Sequence, residues 1–292
     1  MEGVINLYKE PGWTSGDAVN KLKGVLHERR IGHCGTLDPD AEGVLVICVG
    51  RATKLFDFLT DFPKTYIARI VFGKITDTQD ASGTVLTESV PDFSINALDE
   101  VIGSFSGKIK QIPPMYSAIH KNGQRLYELA RKGEKVEIEP RKVEVYSISR
   151  ISEFENNGCD ISVTCSKGTY IRTICHDIGQ KLNCGAYMQH LLRTSSAGRN
   201  VENSKKISEI EEMMRQNDAS FLIETSAAIG FMPVCNIDRA AYKALYNGNS
   251  IDEKYADIHV DGYVRLYCNN QFFGIGKRKD GKYFNKCYLG ER

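Results

Sequence analysis

The stretch HCGTLDPDAEGVL (residues 33–45) sets Asp38 and Asp40 on either side of Pro39, flanks them with Gly35 and Gly43, and runs into an apolar segment. Proline fixes its own φ and drives the residue before it out of the helical region, so Asp38 belongs to a turn. A turn carboxylate can be purely structural, since Asp and Gly are common loop formers. It can also act as a nucleophile or stabilise a cationic transition state if other groups converge on it. Three further stretches offer such groups. KTY (residues 64–66) opens a run of strand character and brings a phenol; QIPPMYSA (residues 111–118) sets two prolines ahead of a tyrosine; SKGTYIRT (residues 166–173) puts Gly168, Tyr170 and Arg172 at a strand-to-helix transition. Each also has a plain reading: strand tyrosines mostly pack, most arginines are exposed, and glycine suits a turn.

The elements that would carry these groups are legible in outline. VINLY reads as a strand, and Ser15 is expected to cap a helix whose Val19, Leu22, Val25 and Leu26 form one apolar face, ending before Arg29. VLVICV (residues 44–49) is a compact β-branched run, hence a buried strand, and ATKLFDFL after it reads as a helix. KTYIARIVFG alternates apolar and polar residues, as a half-buried strand does. Further strands are expected over 142–151 and 160–165, a helix over about 169–182, and an acidic helix over about 204–217. Strands and helices mix without strict β-α-β alternation, which points to an α+β fold with a largely antiparallel sheet. Beyond Gly230 a helix over 238–245 and the strands YVRLYC, QFFGIGKR and KYFNKCYL, joined by N-N and D-G turns, form a small β-rich unit. We place a boundary near 228, giving domains 1–228 and 229–292.

Composition narrows the class. The 292 residues, 41% hydrophobic and 26% charged, are those of an ordinary globular protein, without repeats or low-complexity tracts. No basic-then-apolar leader and no bilayer-length apolar run is present in the sequence, so a cytoplasmic protein with no membrane partner is expected. Nine cysteines without a C-x-x-C pair argue against a disulfide framework and a zinc ribbon. The net charge is only +1, yet residues 108–142 carry nine Lys/Arg against four Glu, and Lys277, Arg278, Lys279, Lys282 and Lys286 cluster near the C-terminus. Both runs suit a solvated face, and both leave room for a polyanionic partner.

Taken in order and at their spacing, G-T-L-D-P-x-A-x-G-V-L (residues 35–45), K-x-Y, I-P-P-M-Y-S-A and S-K-G-T-Y-I-R resemble the motifs of the TruB-type tRNA pseudouridine synthases, as does PGWTS (residues 11–15). The resemblance covers about the first 200 residues. It implies the pseudouridine-synthase fold and the isomerisation of uridine 55 in the T loop of tRNA: the N1–C1′ bond breaks, the uracil turns, and a C5–C1′ bond forms. Such an isomerisation needs no cofactor and no metal, and the sequence offers no G-x-G-x-x-G, P-loop or metal-ligand cluster.

By the same resemblance Asp38 is the catalytic aspartate, Arg172 its partner, and Tyr66 the tyrosine against the target base. His33 is the histidine filling space vacated by flipped nucleotides, and Tyr170 and Leu191 line the uracil pocket. A closed pocket would push Asp38 to hold a proton, and a neighbouring arginine opposes this. The basic stretch at about 115–142 corresponds to an RNA-gripping insertion, and residues 229–292 to a small PUA-like RNA-binding domain. The compact C-terminus favours a stand-alone enzyme acting on the tRNA T-arm over the relatives that depend on guide RNA, and a monomer is expected. Other classes remain open at this point. A non-catalytic RNA-binding module would not need Asp38, Tyr66 and Arg172 together. A glycosidase pairing Asp38 with Asp40 or Glu42 would release free uracil. A uracil methyltransferase would want a cysteine nucleophile and a glycine-rich cofactor loop.

Overall fold

A computed structural model describes residues 1–117, 120–121, 124–125, 129 and 136–290. Much of the basic insertion expected at about 115–142 therefore lies outside the described residues. Among those described, a 10-stranded sheet forms the scaffold. Along its main path it runs Leu222–Ile223, Gly3–Lys9, Glu42–Val49, Ala186–Ser196, Lys64–Phe72, Gly158–Cys165, Arg141–Arg150 and Gly107–Gln111. Neighbours along this path are antiparallel except Ala186–Ser196 beside Glu42–Val49, where Leu192 and Arg193 face Glu42 and Gly43 in parallel.

Residue alternation explains how this sheet supports a core on each face. In Glu42–Val49, Leu45, Ile47 and Val49 point into one apolar cluster with Leu22 and Leu26 of helix Ser15–Leu26 and Ile174 and Ile178 of helix Ile171–Lys181. Val44, Val46 and Cys48 point the other way, into a cluster with Leu55, Leu59, Ile229, Met232, Ile275 and Leu289. A strand buried on both faces needs the continuous apolar run that VLVICV supplies. Lys64–Phe72 alternates buried and half-buried positions along its whole length, as its sequence pattern predicts.

A second, 5-stranded sheet is built by Val234–Asn236, Tyr263–Cys268, Gln271–Lys279, Lys282–Tyr288 and Ile251–Asp252. It has its own cluster around Leu245, Val264, Leu266 and Phe273. It also shares the second cluster of the large sheet through Ile275, Cys287 and Leu289, and Lys54 Nζ donates to the Tyr288 carbonyl at 2.8 Å.

Some local expectations need revision. Thr14, not Ser15, caps the first helix: Asp17 N donates to Thr14 Oγ1 at 3.0 Å and Thr14 N to Asp17 Oδ2 at 3.1 Å, a reciprocal capping box. This frees Ser15 for another task. ATKLFDFL is split, a 3-10 turn over Gly50–Leu55 preceding the short helix Phe56–Thr60. The helix expected over 238–245 is likewise a 3-10 turn, Arg239–Ala241, followed by Tyr242–Tyr246. Helix Ile95–Gly103 and strands Gly107–Gln111 and Ala186–Ser196 were not read from the sequence. No helix is long and apolar enough to cross a membrane among the described residues.

Candidate active site

The turn carrying Asp38 is fixed through its backbone from several sides. Cys34 N donates to the Val46 carbonyl at 2.8 Å, holding the turn to the strand that follows it. Arg193 donates to the Gly35 and Thr36 carbonyls at 3.2 and 3.3 Å and, through Nε, to Val44 O at 2.6 Å. Ser15 Oγ accepts from Leu37 N at 2.9 Å and donates to Leu37 O at 3.1 Å. Lys9 Nζ donates to Pro39 O at 2.9 Å and to Trp13 O at 2.7 Å. The glycines of the motif serve this arrangement. Gly35 has φ +101°, and a Cβ on it would press on Lys64 Cε at 3.3 Å; Gly43, φ +102°, would put a Cβ 2.3 Å from Arg193 O.

Asp38 emerges from this turn to meet Arg172, the second residue of helix Ile171–Lys181. Arg172 Nε lies 3.0 Å from Asp38 Oδ2, and Nη2 donates to Oδ1 at 3.3 Å, a two-pronged contact. Arg172 is 4% exposed, and its remaining donors are all taken: Nη1 by Asp80 Oδ2 at 3.2 Å and Thr78 O at 3.1 Å, Nη2 by Tyr116 O at 2.9 Å. A cation in the first turn of a helix opposes the helix dipole, so two carboxylates are needed to hold it there. Asp80 is itself held, Oδ1 accepting from Thr78 Oγ1 at 2.7 Å, Ser82 N at 3.0 Å and Ser82 Oγ at 2.6 Å.

Asp38, Tyr66, Tyr170, Arg172 and Leu191 line one cavity of about 260 Å³, which Lys64 and Arg193 also border. Tyr66 projects from Lys64–Phe72 and Leu191 from the neighbouring Ala186–Ser196, where Leu191 pairs with Ala68 and Arg193 with Tyr66. Tyr170 is locked by its backbone: its N–H donates to Gln111 Oε1 at 2.8 Å and its carbonyl accepts from Gln111 Nε2 at 2.9 Å. His33 is not brought to this cavity. It borders a neighbouring open groove with Gly35, Thr36 and Phe56, and burial pushes its pKa down, favouring the neutral ring.

Desolvation pushes the Asp38 carboxyl above its ordinary value; Arg172 pulls it down, and Asp80 adds to the rise. The side chain nevertheless keeps 39% of its surface open toward the cavity. The net result is a half-buried carboxyl held in place by a guanidinium at the cavity wall, where it can act as a nucleophile or stabilise a cation. Burial pushes the phenols of Tyr66 and Tyr170 upward, so both keep their protons at neutral pH. Lys9 and Lys64 are buried and pushed down to about 8, each chiefly by desolvation.

Sequence reasoning missed four of these residues: Asp80, Arg193, Ser15 in its actual role, and Lys9. Asp80 lies in a T-x-T-x-D run (residues 76–80) whose short polar side chains signal a self-bonded turn but not its distant arginine partner. Among the described residues no group of three or more His, Cys, Asp or Glu is arranged to hold a metal ion.

Residues 23–171 match the model of the TruB family pseudouridylate synthase N-terminal domain. Residues 172–226 match the tRNA pseudouridylate synthase B C-terminal domain, and 233–283 the C-terminal model of pseudouridine synthase II TruB. The chain is 41% identical over 284 residues to tRNA pseudouridine synthase B of Listeria monocytogenes serotype 4b (strain F2365), covering 95% of this chain and 93% of the relative. It is 42% identical over 283 residues to tRNA pseudouridine synthase B of Clostridium kluyveri, covering 96% of each. Among solved structures, an H/ACA RNP bound to a substrate RNA containing 2′-deoxyuridine superimposes with TM-score 0.73 at 22% identity, covering 99% of this chain and 84% of that one. A Cbf5–Nop10–Gar1 complex does so with TM-score 0.72 at 23% identity, covering 99% and 84%. These likenesses establish the pseudouridine-synthase fold.

Proposed function

The chain belongs to the TruB family of pseudouridylate synthases, and on that premise we propose that it isomerises uridine 55 in the T loop of tRNA to pseudouridine, acting alone. The observation that carries this reading is the two-pronged Arg172–Asp38 contact at the wall of a cavity of about 260 Å³ that Tyr66, Tyr170 and Leu191 also line. A base inside a folded loop must leave its stack to reach such a cavity, at a cost of a few kcal/mol. Tyr66 and Tyr170 then offer ring faces and Leu191 an aliphatic wall to replace the lost stacking. Asp38 approaches the ribose or the base as nucleophile, or stabilises positive charge at C1′; Arg172 keeps it ionised and aimed. Tyr66, protonated at neutral pH, exchanges a proton with the base in this reading. No atom is gained or lost overall: the bond pair leaves C1′ with N1, C5 bonds to C1′, and the C5 hydrogen departs as a proton while N1 gains one.

Within this reading residues 1–228 form the catalytic domain and 229–292 a PUA-like RNA-binding domain, with His33 packing where the flipped nucleotides had been. Basic residues of the 115–142 insertion would contact phosphates, giving salt-dependent affinity for the T-arm. The stand-alone mode is supported by relatives of near-equal length at 41–42% identity that are tRNA pseudouridine synthase B proteins. The test is release of tritium from C5 of uracil in an unmodified tRNA transcript, with no guide RNA added. We expect release by the native protein, mapping to the T loop, and none from Asp38→Ala. Tight tRNA binding without release by the native protein would overturn the assignment.

A further inference from the structure

Two cations border the cavity with no carboxylate at ion-pair distance among the described residues, the nearest acidic influence on Lys64 being Asp61. The Arg193 side chain is 0% exposed, yet its guanidinium is met by the carbonyls of Gly35, Thr36 and Val44 and by no acidic side chain among the described residues. Lys64, 5% exposed, has Nζ on the carbonyls of Thr60 and Phe62 at 2.9 and 3.1 Å. Carbonyl dipoles screen such charges only in part, and burying an ion without a counter-charge is costly. Arg172, by contrast, is balanced by Asp38 and Asp80. The cavity therefore has an acidic wall at Asp38, where two carboxylates share one guanidinium, and a positive wall at Lys64 and Arg193. A register shift in Ala186–Ser196 between Arg193 and Ser195 re-aims the strand here, with Arg193 directly across from Tyr66.

We infer that Arg193 and Lys64 form the positive pole of the pocket and stabilise the negative charge that the uracil ring acquires during the isomerisation. This rests on the pocket's being the uracil site. It does not depend on how Asp38 acts. If N1–C1′ breaks by attack at C1′ or by elimination from the sugar, the bond pair stays with the base, and the ring carries the charge over N1, O2 and O4. If Asp38 adds to C6, the electron pair displaced from the C5–C6 bond moves toward O4. In each case the ring becomes electron-rich before C5 delivers the pair back to C1′ and releases its proton. A pair of fixed cations in a poorly solvated wall suits that intermediate charge and does nothing for the neutral ground state, which is the condition for raising the rate rather than the affinity.

The experiment compares Arg193→Lys with Arg193→Gln. Lysine keeps the charge and loses the three-way fork; glutamine keeps an N–H donor and loses the charge. Single-turnover rates on an unmodified tRNA transcript, transcript affinity and melting temperature are measured together. We expect Arg193→Lys to be at least about tenfold faster than Arg193→Gln at matched melting temperature, with affinities equal within about twofold. Equal rates for the two, or a native rate in Arg193→Gln, would overturn the inference and leave Arg193 a clamp for the turn. Should either variant fail to fold, the pH profile decides. The groups around Lys64 are Arg193, Cys165, Cys34 and Asp61, so Cys34→Ser is introduced in all proteins to remove the one thiol drawn downward there. Lys9 is pushed down to about 8 as well, so Lys9→Arg is measured in parallel: the rate should fall as Lys64 loses its proton at about 8, and Lys64→Arg, but not Lys9→Arg, should abolish that fall. A flat profile, or an unchanged fall in Lys64→Arg, would overturn the inference. No tritium release by the native protein would instead sink the uracil-site reading on which it rests.

Discussion

Asp80 lies on the far side of Arg172 from Asp38, 3.2 Å from Nη1, so that one buried guanidinium is shared between two carboxylates. Asp38 borders the cavity that Tyr66 and Tyr170 line, whereas Asp80 does not: its Oδ1 is taken by Thr78 and Ser82 and its Oδ2 aims Arg172. Asp80→Asn should therefore leave tRNA affinity nearly unchanged and lower the single-turnover rate by up to about 100-fold, the scale of a misplaced catalytic group. Equal loss of affinity and rate would show that Asp80 meets the RNA instead.

The acid limb of the rate reports Asp38. Its folded-state pKa is raised above the ordinary 3.8, so as pH falls the carboxylate takes its proton, and activity is lost, at a pH above that value. Asp80 contributes to the rise, so Asp80→Asn should move the midpoint downward while the limb persists. Rates between pH 4 and 7, with folding checked at each pH by circular dichroism, test both signs.

Ser15 spends its hydroxyl on the backbone of Leu37, next to Asp38, rather than on the helix end. Ser15→Ala leaves a buried N–H and carbonyl without that partner and should cost about 1–3 kcal/mol in chemical denaturation. The rate should drop as well, because the turn loses a fixed point one residue from the carboxylate. A variant as stable and as active as the native protein would show that water replaces the hydroxyl without penalty.

The parts of the molecule legible in sequence are those whose period is local. Lys64–Phe72 alternates without interruption, and the apolar face of Ser15–Leu26 is complete within one helix. Ala186–Ser196 is the strand at the centre of the site, yet two register shifts break its alternation, and Gln189, His190 and Arg193 read as surface. The same limit applies to the site. Asp38, Tyr66, Tyr170 and Arg172 lie in the motifs, Leu191 was named from the family resemblance alone, and all five border one cavity. Asp80 was not, because nothing local says which carboxylate an arginine 92 positions away will choose. Arg193 was not, because its partners are carbonyls, which every residue possesses.

The turn from Cys34 to Pro39 is tied at five of its residues to two strands, a helix and a buried lysine. Such a mould does not yield to its substrate, so the bending required for entry has to come from the nucleic acid. Discrimination among tRNAs then follows the stiffness of each T loop as much as the identity of its bases, and a transcript whose elbow is loosened should be a better substrate than a rigid one carrying the same target uridine.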